Sequence, residues 1–273
     1  MRHPSWFRGK RVKVNRPPLV QARNVYDLRN RHRGEAILVV APGPSFASFP
    51  REELARHTSI GVNAALELFD PTYWVYAEPF FTREYRALYM DPDRARRIVT
   101  TRWQALAALE LLLPAGKDLY WFRYGHAPRL DEGDRREPLS PKAGLSVLKA
   151  TRPSDGRRPW WALPDVGFLP GRCSVATHAV SLAVLMGARS VLTIGIDFRY
   201  ESEDSYYSPG VAINPGPRRK QKALSCGRNW AILAARKGVW DGVDLVTISP
   251  AGGLPGARRV SLDEGISILR KGE

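Results

Sequence analysis

Apolar residues fall in short, nearly continuous runs: Ala36 to Ala41, Thr58 to Val62, Thr72 to Ala77, Ile98 to Thr101, Leu119 to Phe122, Val191 to Ile196 and Leu245 to Ile248. Runs of this length without alternation predict strands covered on both faces. Between them lie stretches of helical character. Val175, Ala179, Leu182, Ala183 and Met186 recur at three- and four-residue spacing, which puts them on one face of a helix, with Gly187 placed to end it. Pro50 with Glu52 and Glu53 reads as a helix start. Further helices are expected over Ala64 to Phe69, after Pro79, and over Gln104 to Leu113, Lys222 to Arg236 and Asp263 to Leu269. Strands alternating with helices predict an α/β fold. The expected form is a doubly wound, mostly parallel Rossmann-like sheet with helices on both faces. Residues 34–273 would form this domain, with 125–170 as an irregular insertion and 199–221 as a lid loop rich in Pro, Gly, Tyr and Arg.

Charge alters this picture at one end. The chain has 273 residues and a net charge of +15, and residues 1–33 hold ten Lys and Arg against only Asp27, a local charge of +9. The remaining +6 is ordinary for a soluble domain of that size. A basic N-terminal arm over residues 1–33 is therefore expected, with an anionic partner such as nucleic acid, anionic lipid or an acidic protein. No apolar run reaches membrane-spanning length, and the basic start lacks the apolar core of a signal peptide. Cys173 and Cys226 have no metal-type spacing. Together these point to a cytoplasmic protein.

Candidate chemistry collects where strands end. The first strand runs into Pro42-Gly43-Pro44-Ser45, the position at which such folds hold phosphate on backbone N–H groups. Asn63, Glu78 and Asp197 follow three other apolar runs, and on a parallel sheet those ends share one edge. Each alone could cap a helix. Together they suit a nucleotide: Asn to read a base or sugar hydroxyl, the carboxylates to hold ribose or a metal ion, or to act as a base. Downstream, Tyr206 and Tyr207 offer rings for stacking, and Arg218 and Arg219 offer charge for phosphate. His178 sits mid-helix and reads as a core residue. The turn is not G-x-G-x-x-G, and no H-E-x-x-H or P-loop pattern is present, so a dinucleotide cofactor and the common hydrolase and ATPase templates are unsupported.

The segments APGPS, GVNAALELFDPTYWVYAEP and GRCSVATHAVSLAVLMGARSVLTIGIDF, with a closing ISPAGGL, resemble the MptE-like family. That family groups hydroxymethyl-dihydropterin diphosphokinases with motility-accessory-factor flagellin glycosyltransferases. More distantly the segments resemble small bacterial Rossmann-like sialyltransferases. The resemblance covers roughly residues 36–80 and 170–250 and implies one nucleotide-binding domain that transfers a group from an activated nucleotide. It implies nucleotide contacts for Gly43, Pro44, Ser45, Asn63, Arg172, Ser174, Tyr206 and Tyr207, and a catalytic or metal-binding role for Asp197 and Glu78. Glu78 departs from the Asn or Asp of those relatives. The sialyltransferase histidine base has no counterpart, since no His follows His178.

The expected activity is thus nucleotide-dependent transfer, foremost a glycosyltransferase using a nucleotide-sugar donor on a surface glycan or protein. An ATP-dependent pterin-type diphosphokinase, with Mg²⁺ as candidate ion, is the enzymatic alternative. A non-catalytic nucleic-acid-binding protein is the alternative outside enzymes.

Overall fold

The computed structural model describes residues 22–77, 87, 91, 93–101, 105, 117–124, 168–169, 174–197, 242–249, 254 and 257–271. Its strands are β1 (Ala22–Asn24), β2 (Ala36–Val40), β3 (Ser59–Val62), β4 (Tyr73–Tyr76), β5 (Arg97–Thr101), β6 (Asp118–Tyr124), β7 (Phe168–Leu169), β8 (Ser190–Ile194), β9 (Asp244–Thr247) and β10 (Arg258–Arg259). Nine of them follow the order β1-β6-β5-β4-β3-β2-β8-β9-β10, and β7 pairs with β6 off this path. Every pairing is parallel. From β2 the chain winds outward through β3 and β4 to β5 and β6, then returns to add β8 on the other side of β2. The expected doubly wound Rossmann-like sheet is therefore present, with its direction reversing between β2 and β8.

Alternate residues of each strand serve opposite layers. Ile37, Val39, Ile60, Val62, Tyr73, Val75, Val99, Tyr120 and Val191 join the core under α3 (Val175–Leu185). Ala36, Leu38, Val40, Leu192, Ile194 and Val246 face the other layer. That layer holds α1 (Arg51–Arg56), α2 (Ala65–Leu68), α4 (Leu262–Arg270) and the 3₁₀ turn Pro44–Ser48.

The helix α3 departs from its expected one-sided burial. All its residues except Val184 are buried, as befits a helix apolar all round. Its outer cover comes from residues expected in the basic arm. Val25 and Leu28 are fully buried in the same core, and β1 pairs with β6. The N–H groups of Asn30, His32 and Gly34 donate to the carbonyls of Leu185, Met186 and Gly187, satisfying acceptors that a helix end leaves open. Residues 22–33 of the expected arm therefore belong to the folded domain: three strand residues and two apolar anchors outweigh the local charge. Residues 1–21, the insertion before β7, the lid loop and the expected helices after Pro79 and over 222–236 lie outside the described residues. Among the described residues, no helix is long and apolar enough to cross a membrane.

A buried carboxylate fastens α4 to α1. Glu53 is 2 % exposed and accepts from Arg270 Nη2 at 2.5 Å, from His57 Nε2 at 3.1 Å and from Arg56 Nη1 at 3.5 Å. The Arg270 guanidinium, against the cost of burial, holds the Glu53 carboxyl below the ordinary range, with His57 and Arg56 adding to it. A carboxyl depressed on folding stabilises fully above the unfolded value, about 4.3, and loses that contribution as pH falls through the folded value. Urea titrations should therefore show stability falling below about pH 5 in the parent protein, and a flatter acid limb in Glu53→Gln. At pH 7 Arg270→Gln should cost about 1–2 kcal/mol, since its guanidinium is half exposed while its partner is not.

Candidate functional site

The carboxyl ends of β2, β8 and β9 are joined at the point where the sheet reverses direction. Past the end of β2, Ala41 N donates to Ile194 O at 2.9 Å and Gly43 N donates to Gly195 O at 3.0 Å. The β2–β8 ladder thus continues into both turns. Ser45 then closes the gap with both of its polar groups. Its N–H donates to Asp197 Oδ2, and its Oγ accepts from Gly195 N, each at 3.0 Å. The same Oγ lies 3.0 Å from Ser249 Oγ, which follows β9 and is fully buried.

Two glycines permit this approach. A Cβ on Gly43 would stand 2.2 Å from Gly195 O and 2.5 Å from Asp197 Oδ2. One on Gly195, whose φ is 72°, would stand 1.7 Å from Ala41 O. The space over the bare Cα of Gly43 is filled by the turn after β8.

This geometry settles what the first turn offers. Ala41, Gly43 and Ser45 spend their N–H groups on β8 and its turn, Phe46 N donates to Gly43 O, and Pro42 and Pro44 have none. No backbone donor from 41 to 46 is left for a phosphate, contrary to the cradle expected here. What the turn presents is a partly buried carboxylate, Asp197, whose Oδ1 has no hydrogen-bond partner among the described residues.

On the other side of β2, Asn63 follows β3. The register sets Val40 beside Gly61 and Ile194, so Asn63 and Asp197 share one sheet edge, two strands apart. At the usual strand spacing that separation is about 10 Å. Asn63 has φ 51°, a left-handed conformation that Asn tolerates better than most residues. Its carbonyl accepts from Trp74 Nε1 at 2.9 Å, and its N–H donates to Val75 O. Its side-chain Oδ1 is buried without a hydrogen-bond partner among the described residues. A buried acceptor left open is costly unless a ligand supplies the donor.

The other expected residues divide. Ser174 is the N-cap of α3, its Oγ accepting from Ala176 N at 3.3 Å. His178 is buried, its ring centroid 5.1 Å from that of Phe122. Glu78, Arg172, Tyr206, Tyr207, Arg218 and Arg219 lie outside the described residues. Ser249 and Gly195 were missed as site residues. Ser249 is a polar residue just past an apolar run, the same signal that singled out Asn63 and Asp197. Among the described residues no group of three or more His, Cys, Asp or Glu side chains is placed to hold a metal ion.

The fold and this edge define a Rossmann-like α/β protein whose strand-end polar groups gather at the reversal of strand order. No protein-family model matches the chain, and no curated protein matches it. Among solved structures it is similar to the MAf glycosyltransferase from Magnetospirillum magneticum AMB-1, at 13% identity and a TM-score of 0.47. The match covers 92% of this chain and 41% of that chain, so the sequence spans less than half the length of the protein it resembles.

Three substitutions at two positions test the joined turns. Gly195→Ala should destabilise by upwards of about 3 kcal/mol, from left-handed strain plus collision with Ala41 O. Asp197→Ala should cost about 1–3 kcal/mol by orphaning Ser45 N–H, whereas Asp197→Asn, whose amide oxygen accepts the same bond, should recover most of it. Denaturant midpoints of the three variants check both.

Proposed function

We propose that the chain is a nucleotide-dependent transferase, and within that class a glycosyltransferase that takes a nucleotide-activated sugar. The observation that carries this reading is the open buried acceptor of Asn63 on the same sheet edge as Asp197, beside the reversal of strand order. Ligands of open parallel sheets lie at that place. An acceptor sealed from water suits a hydroxyl or amino group of a nucleoside.

The division of labour follows from the occupied turn. With the N–H groups of 41–46 engaged, the donor's phosphates would depend on cations carried elsewhere, and the sequence supplies Arg172, Arg218 and Arg219 with Tyr206 and Tyr207. The pair Gly43 and Ser45 would shape the site and hold Asp197, with Pro44 stiffening the turn. Asp197 Oδ1, with Glu78, would take the role of base or, for a donor that needs one, of divalent-ion ligand. The ion would supply charge neutralisation at the phosphates. A pterin-type diphosphokinase would use the same edge but depend on ATP and Mg²⁺.

The reading is tested by thermal-shift and calorimetric titration with CMP, CDP, UDP, GDP and ATP, each with and without Mg²⁺. One nucleoside mono- or diphosphate without a strict Mg²⁺ requirement should bind best. Asn63→Gly, chosen because Gly accepts the same backbone angle, should weaken nucleotide and parent nucleoside alike by roughly ten-fold. Arg218→Ala and Arg219→Ala should weaken the nucleotide alone. Selective, Mg²⁺-dependent ATP binding would favour the diphosphokinase. Affinities unmoved in all three variants would remove the site from this edge.

A further inference from the structure

The opposite edge of the sheet gathers positive charge around two buried phenols. Tyr73, Arg97 and Asp118 are the first residues of β4, β5 and β6, and the register sets them side by side. The Arg97 guanidinium lies over the Tyr73 ring, 5.5 Å from its centroid, and Arg97 Nε is buried without a hydrogen-bond partner among the described residues. From the segment covering α3, Arg31 Nη1 donates to Tyr120 Oη at 3.1 Å. Arg23 on β1 is paired with Tyr120 across the ladder to β6, and Tyr120 first, then Asp118 and Asp27, raises its guanidinium above the ordinary value. Tyr120 is fully buried, accepts from Arg31, and its own O–H has no acceptor among the described residues.

Among the described residues the neighbouring acid groups only partly balance these donors. Tyr73 is committed to His32, whose Nε2 lies 2.9 Å from its hydroxyl, and burial raises the Tyr73 phenol, so it stays neutral near pH 7. Glu35 is committed to His32 Nδ1 at 2.9 Å and to Thr58 Oγ1 at 2.8 Å. Asp118 in the row and Asp27 on the covering segment both act on Arg23, and among the described residues neither forms an ion pair with the three arginines. Among the described residues, three cations and two open buried donors, Arg97 Nε and the Tyr120 O–H, therefore face two carboxylates, Asp27 and Asp118. Their side chains come from three separate segments, which suits a tetrahedral dianion better than a planar monoanion.

We propose that Arg23, Arg31, Arg97 and the Tyr120 hydroxyl form a binding site for the phosphate group of a small phosphorylated ligand. It is a second site, distinct from the nucleotide edge. A strand of five residues separates the two edges by roughly 15 Å. A phosphate held there would tie β1 and the segment covering α3 to the centre of the sheet, so occupancy would stabilise the fold.

The test is calorimetric and thermal titration of the full chain with inorganic phosphate, at ionic strength matched with chloride. The parent protein, Arg31→Gln, Arg97→Gln and Tyr120→Phe are compared, the last keeping the ring and losing only the donor. Saturable binding with a rising Tm is expected for the parent. Roughly ten-fold or greater weakening is expected in each arginine variant, and a smaller loss in Tyr120→Phe. Sedimentation with phosphatidic acid vesicles, against phosphatidylcholine vesicles, separates the two sources of the group. Arginine-dependent binding to the acidic vesicles would mark a lipid headgroup, and binding of free phosphate alone a soluble ester. An identical response to phosphate in all four proteins would be a general salt effect and would overturn the site, as would the absence of saturable binding in the parent.

Discussion

The contact on which this structure turns is the close approach of two backbones past the ends of β2 and β8. In an open parallel sheet the two turns at the reversal of strand order usually diverge, leaving a crevice. Here Gly43 and Gly195 let the ladder run on, and Ser45 locks it with its N–H on Asp197 and its hydroxyl shared with Gly195 and Ser249. The joined turns set the strand-end geometry on both sides, fix where Asp197 can point, and withdraw the backbone donors that would otherwise hold a phosphate.

That withdrawal has a chemical consequence. A site with a carboxylate already seated on the turn repels phosphate there unless cations intervene. Binding energy for an anionic ligand then has to come from arginines carried on other segments, while the sheet edge contributes polar reading through Asn63. The orphaned Oδ1 of Asn63 and the saturated turn are thus complementary features of one edge. Under the proposed function, the arrangement would separate recognition of a nucleoside from neutralisation of its charge.

At the far edge the constraint is cover. A helix as apolar as Val175–Leu185 needs partners on every side, and the sheet supplies only one. The segment from Ala22 to Gly34 supplies another through Val25, Leu28 and three backbone hydrogen bonds to the helix end. Drawing that segment inward brings Arg23 and Arg31 against Tyr120, next to Arg97. Charge accumulates there because packing of the apolar residues dictates where the chain runs, and the arginines between them have to follow.

What the sequence by itself determined is the set of central strands and their polarity. Runs such as AILVV and SVLTI are apolar on both faces and exclude any placement but the middle of a layered sheet, and the polar residue after each run marks its ligand-facing end. Hence Asn63, Ser45 and Asp197 could be placed on one edge before any coordinates. The pairing of Asp197 with Ser45 N–H was not legible, because 152 residues separate them and only the strand order makes them neighbours. Nor were β1 and β10, of three and two residues, whose stability comes from a neighbour's ladder and not from their own pattern. The stretch from 22 to 33 read as charge because charge is counted locally, whereas its burial depends on a helix more than 140 residues away. Local pattern decided what each segment is; only tertiary packing decided which polar groups are spent on the fold and which remain for a ligand.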